Sequence, residues 1–134
     1  MQASDSRIAC MKSHHKSRSP VTRLWNALFY SLDGLSAAFR HEGAFRSEVL
    51  MAIILIPIAV HTDTSGVGKA LMIASVLLVL VIELVNSAIE AVIDRISLED
   101  HVLAKRAKDM GSAAVMLTLI NVPVVWLLVL FEPL

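Results

Sequence analysis

The chain has 134 residues, of which 56% are hydrophobic and 18% charged, and its mean hydropathy is +0.68. A single domain of this size leaves much of its surface exposed, so a water-soluble globule cannot hide that much apolar area, and lipid must take up the remainder. Twelve Lys and Arg balance twelve Asp and Glu, which argues for no nucleic-acid partner, and the one cysteine, Cys10, excludes an intramolecular disulfide framework or a multi-cysteine metal site.

Residues 1–19 carry Arg7, Lys12, Lys16 and Arg18 among polar residues, without an apolar run of the length a signal peptide's core needs, and read as a basic disordered tail. A helix is predicted over residues 20–41. Ser19 is a good N-cap, Pro20 is tolerated at the first helical position, and Val21, Leu24, Trp25, Leu28, Leu32 and Leu35 recur at three- and four-residue steps. Too polar to span a bilayer, this segment is expected to lie in the membrane surface. Three apolar segments follow. The first, 43–61, holds an uncharged run from Val49 to Thr62 with a kink risk at Pro57, and Arg46 and Glu48 near its start are placed to reach the headgroups. The second, 70–96, is purely apolar to Ile82 and then continues in helical register through charged residues. The third, 110–131, is uncharged to Phe131. The fold class is therefore an all-α membrane protein, with one domain over residues 20–134 made of a surface helix and three transmembrane helices.

Seven Lys and Arg precede the first span's apolar run, four lie between the second and third spans (Arg95, Lys105, Arg106, Lys108), and Lys69 stands alone between the first and second. The positive-inside rule then sets the N-terminus and the second loop in the cytoplasm. On that side lies the most informative pattern of the chain. Glu83, Asn86, Glu90 and Asp94 are spaced 3, 4 and 4, which confines them to a strip about 80° wide on one helix face. Carboxylates in hydrocarbon cost several kcal/mol, so such a strip faces protein or water and carries a function unless it merely pairs with cations. The helix from 70 to 96 is about 40 Å long, more than the roughly 30 Å apolar core, so Glu90 and Asp94 reach the cytoplasmic boundary with Glu83 about 10 Å deeper.

Carboxylates, Mg²⁺ and one or two cations suffice for phosphoryl transfer, which depends mostly on positioning and charge neutralisation. Glu90 with a second carboxylate such as Glu42 suits Mg²⁺ between phosphates, Glu83 suits a general base for an alcohol, and Lys108, Arg23 and Arg106 suit phosphate neutralisation. The same carboxylates would equally serve as interhelical ion pairs fixing an oligomer. No P-loop, Gly-rich kinase loop or DFG-type motif is present, so a conventional nucleotide fold is excluded.

The stretch Glu83-Leu-Val-Asn-Ser-Ala-Ile-Glu-Ala-Val-Ile-Asp94 resembles the signature of the small bacterial membrane diacylglycerol kinases, E-x-apolar-N-S/T-A/S-x-E-x-x-apolar-D. Glu42-Gly-Ala-Phe-Arg-Ser-Glu48 resembles that family's E-x-A-F-R-x-E start of the first span, and Arg106-Ala-Lys-Asp-Met-Gly-Ser-Ala-Ala-Val115 resembles its R-A-K-D-M-G-S-A-A-V start of the third. Two positions depart from the pattern: Ser97 and Lys105 stand where glycine is common, and a Cβ there resists positive φ.

The resemblance implies a homotrimer with active sites shared between neighbours, in the bacterial inner membrane with its site on the cytoplasmic side, transferring the γ-phosphate of MgATP to diacylglycerol to give phosphatidic acid. By matching positions, Glu83 is the catalytic base, and Glu42 and Glu90 bind the metal and, through it, ATP. Arg23, Tyr30, Glu99, Asp100, His101, Lys108 and Asp109 would also line the nucleotide. Lipid contacts are implied for Arg23, Ser31, Ala44, Phe45, Arg46, Ser47 and Glu48, and further for Lys69, Glu83, Ser112 and Trp126, with Asn86 and Asp94 supporting the strip. Tyr30 and Trp126 also read as interfacial aromatic anchors. Rival readings are an undecaprenol kinase of the same family, a small ion-coupled transporter, and a non-enzymatic assembly subunit. A transporter has no need of Lys108 and Asp109 beside the membrane or of a strip climbing to its surface.

Overall fold

The computed structural model describes residues 19–96 and 102–131. The predicted tail up to residue 18, together with Ser97, Glu99, Asp100 and His101, lies outside the described residues. Four helices are present: α1 (Pro20–His41), α2 (Gly43–His61), α3 (Gly66–Ile96) and α4 (Val102–Leu130). Among the described residues there is no strand. Helices α2, α3 and α4 are each long and apolar enough to cross a membrane. The chain divides into two compact units, one ending at Gly34 and the other beginning at Leu35.

In the first unit, Ser19 is the N-cap its side chain suits. The Thr22 backbone N–H donates to Ser19 Oγ at 3.3 Å, which satisfies one of the four orphan donors of a helix start. Pro20 sits at the first helical position, where its missing N–H costs nothing. Val21, Leu24, Trp25 and Leu28 are exposed, Trp25 by 62%.

In the second unit, α1 ends at His41 and α2 begins at Gly43, with the extended residue Glu42 between them (φ −104°, ψ 117°). Arg46 secures this junction. Its Nη1 donates to the carbonyls of Phe39 and Arg40, both at 3.2 Å, so the guanidinium caps the end of α1. Pro57 lies inside α2 without ending it. A short turn then leads to Ser65, whose Oγ accepts the Gly68 N–H at 3.0 Å, and this cap explains why α3 starts at Gly66 rather than near residue 70. Likewise α4 starts at Val102, eight positions before its uncharged run, because Lys105, Arg106, Lys108 and Asp109 continue the same helix. Lys105 is thus helical, and no described non-glycine residue has positive φ, so its Cβ raises no backbone conflict.

Helix α3 packs against both α2 and α4 and is the centre of the bundle. Its buried residues Gly68, Met72, Ser75, Val76, Val79, Glu83 and Asn86 follow one inward stripe. They meet Phe45, Glu48, Ala52 and Ala59 of α2, and Val115, Thr118 and Val122 of α4. Ala52, Val76, Val79 and Val122 form the core cluster, with Trp126 packed on its edge. In lipid such packing gains mostly from close van der Waals contact, which small residues permit. At Gly68 a Cβ would come within 2.8 Å of Thr64 Oγ1 and Val129 Cγ1, so glycine is needed where α3 starts beside the end of α4.

Candidate active site

The acidic strip of α3 passes from the interior outward as its spacing demands. Glu83 is 4% exposed, Asn86 8%, Glu90 is half-buried and Asp94 exposed. Asn86 Nδ2 donates to Glu90 Oε1 at 3.1 Å, an i to i+4 bond that fixes the Glu90 carboxylate. Across the interface, Lys108 of α4 donates to Asp94 and forms an ion pair with it, within electrostatic reach of Glu90 as well. Glu83 lies within electrostatic reach of Glu90 and of Glu42, which stands at the break before α2.

Helix α2 adds a fifth carboxylate. Glu48 is 7% exposed and faces Glu83 electrostatically. It therefore turns into the bundle rather than out to the headgroups. The face it shares explains the turn: Phe45, Glu48, Ala52 and Ala59 recur at steps of 3, 4 and 7, one stripe of the helix. Glu48 Oε2, Asn86 Oδ1 and Ser87 Oγ are buried with no hydrogen-bond partner among the described residues. Each such atom costs about 1–3 kcal/mol, so three beside one strip single it out as the candidate site.

The site thus gathers Glu42, Glu48, Glu83, Asn86, Glu90, Asp94 and Lys108. Around it, Ala44, Arg46, Ser47, Asp109 and Ser112 are exposed, with Ser47 Oγ donating to the Gly43 carbonyl at 3.3 Å, while Phe45 is buried. Arg23, Tyr30 and Ser31 belong to the unit ending at Gly34, where all three are exposed and Ser31 Oγ donates to the Ala27 carbonyl at 2.9 Å. Two expected lipid contacts lie elsewhere. Trp126 donates its indole N–H to the Met72 carbonyl at 3.4 Å, and Met72 is about 16 Å along α3 from Glu83. Lys69 donates to the Val60 carbonyl at 2.9 Å, about 21 Å along α3 from Glu83.

One residue of the site escaped the sequence reading. Gly111 of α4 lies against Asn86, and a Cβ there would collide with Asn86 Oδ1. Its place in the series Lys108, Gly111, Val115, Thr118, Val122, at steps of 3, 4, 3 and 4, is the signal that puts it on the inward face.

Among the described residues, no group of three or more His, Cys, Asp or Glu is arranged to hold a metal ion. The donor set still suits one metal. Mg²⁺ favours carboxylate oxygen, keeps several waters, and takes one or two protein carboxylates besides substrate phosphates. Glu90 of α3 and Glu42 at the break before α2, both in electrostatic range of Glu83, supply carboxylates of the kind and number that requirement sets.

Fold and site together define a small polytopic helical membrane protein with an acidic centre that rises to one end of its bundle. Residues 29–130 match the family model of prokaryotic diacylglycerol kinase. The diacylglycerol kinase of Pseudomonas aeruginosa is 52% identical over 118 residues, covering 88% of this chain and 96% of that one. That of Haemophilus influenzae is 50% identical over 111 residues, covering 83% and 94%, and that of Escherichia coli strain K12 is 46% identical over 111 residues, covering 83% and 91%. The chain belongs to the prokaryotic diacylglycerol kinase family.

Proposed function

We propose that this protein transfers the γ-phosphate of MgATP to the free hydroxyl of diacylglycerol, producing phosphatidic acid and ADP. Family membership and relatives named diacylglycerol kinase support the reaction class, an ATP-dependent lipid kinase. The observation that carries the assignment of chemistry to residues is Glu83, a carboxylate 4% exposed within an apolar helix and in the field of Glu42 and Glu90. A carboxylate that costly in a membrane is retained where it works.

Glu83 accepts the proton of the lipid hydroxyl as that oxygen forms its bond to the γ-phosphorus and the bond from phosphorus to the ADP oxygen breaks. Glu42 and Glu90 would hold Mg²⁺. When bound, the ion neutralises phosphate charge. Asn86 keeps the Glu90 carboxylate oriented, and Asp94 keeps Lys108 at the mouth of the strip, where its ammonium meets nucleotide phosphate. Arg23, Tyr30, Asp109 and, outside the described residues, Glu99, Asp100 and His101 complete the nucleotide side. Ser31, Ala44, Phe45, Arg46, Ser47, Glu48 and Ser112 serve the lipid side.

The site opens toward the cytoplasm of a bacterial inner membrane, as the Lys and Arg distribution supports. The protein works as a homotrimer with sites shared between neighbours. Broad apolar faces on α2 and α4, including Leu50, Ile53, Leu117 and Leu128, are left for lipid and neighbouring copies to cover. The test is transfer from γ-labelled ATP in mixed micelles offering diacylglycerol and undecaprenol side by side. Label in diacylglycerol is expected. Label in undecaprenol alone reassigns the acceptor, and label in neither, from folded protein, removes the kinase reading.

A further inference from the structure

Glycine is the weakest helix former after proline, yet Gly111 stands well inside α4, nine residues beyond its first residue Val102. Propensity gives no reason for it. The reason lies across the interface, where any Cβ at this position would run into the Asn86 carboxamide oxygen and crowd Asn86 Cγ at 3.3 Å. Asn86 has little freedom to yield. It is 8% exposed, and its Nδ2 is committed to Glu90 Oε1 at 3.1 Å. Its Oδ1, the atom facing Gly111, is buried without a donor. By contrast, Gly34 and Gly66 have nothing within 4 Å of a built Cβ, so crowding is particular to Gly111 and the α3 start at Gly68.

We infer that Gly111 is a positioning residue: it leaves the space in which the Asn86 side chain stands, and Asn86 in turn holds Glu90 where the metal-bound nucleotide is received. This rests on the kinase reading above, in which Glu90 is a metal ligand. A methyl group at 111 pushes the carboxamide along α3 and releases Glu90. The damage therefore falls on use of MgATP, not on use of the lipid.

The experiment compares wild type, Gly111→Ala, Asn86→Ala and the double variant, each purified in detergent and checked for folded assembly by size exclusion. Mg²⁺ and MgATP saturation curves are read separately from diacylglycerol saturation. Gly111→Ala is expected to lower kcat/KM for MgATP by about 100-fold, the scale of a misplaced catalytic contact, to raise the Mg²⁺ requirement, and to leave the KM for diacylglycerol unchanged. In the Asn86→Ala background the same change is expected to cost nothing more, because the obstructing oxygen is gone. Gly66→Ala serves as the unhindered control. An equal loss from Gly111→Ala in both backgrounds overturns the inference, as does a loss confined to folded yield. Should Gly111→Ala fail to assemble, the double variant decides: recovery of folded protein supports the role, and failure to recover overturns it. An inactive wild type strikes the kinase reading itself, a result distinct from normal activity in Gly111→Ala.

Discussion

Replacing Glu48 by methionine separates what this buried carboxylate does for the bundle from what it does for the reaction. Glu48 is 7% exposed, its Oε2 has no partner among the described residues, and it stands in the field of another carboxylate, Glu83. An orphaned buried polar atom costs about 1–3 kcal/mol, and exchanging a buried ionic group for an apolar one of similar volume is often neutral or stabilising. Glu48→Met is therefore expected to stabilise the folded protein by about 1–3 kcal/mol, read as a higher midpoint in titration from mixed micelles into SDS. Activity moves the other way. Removing a group that faces Glu83 is expected to reduce diacylglycerol phosphorylation about 100-fold, the scale of a displaced reacting group. A protein that loses stability by 2 kcal/mol or so while keeping its activity would refute the reasoning, since Glu48 would then be a structural partner in the assembly.

Two further predictions follow from the ends of the site. Lys108→Met is expected to lower kcat/KM for MgATP about 100-fold, as loss of a phosphate-directed donor does. It should leave SDS unfolding almost unchanged, because its pair with Asp94 is exposed on both sides (41% and 63% of the side chains). Equal activity with weaker folding would make the pair a structural clasp. Arg46→Gln removes both bonds to the carbonyls of Phe39 and Arg40. Amide exchange at Glu42, whose N–H donates to the Ala38 carbonyl at 2.8 Å, should quicken, and the KM for diacylglycerol should rise, as loss of a group on the lipid side requires. An unchanged lipid KM would leave Arg46 a clasp of the α1–α2 junction and no lipid contact.

Much of this arrangement is legible in the residues themselves. The 3, 4, 4 spacing of Glu83, Asn86, Glu90 and Asp94 places them on one face, and a helix longer than the bilayer core dictates that burial fall from Glu83 to Asp94. Ser19 and Pro20 mark the start of α1 because cap chemistry is local. Facts that depend on a second helix are harder to read. Glu48 looks like a headgroup contact when its own segment is considered, and only the neighbouring α3 makes its face the inside. Arg46 caps carbonyls six and seven residues back across a break whose geometry no pattern specifies. Gly111 carries no side chain to signal its purpose, which is visible only in the Asn86 atom it accommodates. Hydropathy marks where α3 and α4 are apolar but not where they start, since Ser65 caps one and a charged stretch belongs to the other.

The most direct measurement of the central claim is phosphate transfer by Glu83→Gln, an amide of the same shape that cannot take the lipid's proton. From protein that assembles like wild type and still binds MgATP, labelled phosphatidic acid is expected to fall by at least about 100-fold. Transfer at the wild-type rate from that variant would contradict it.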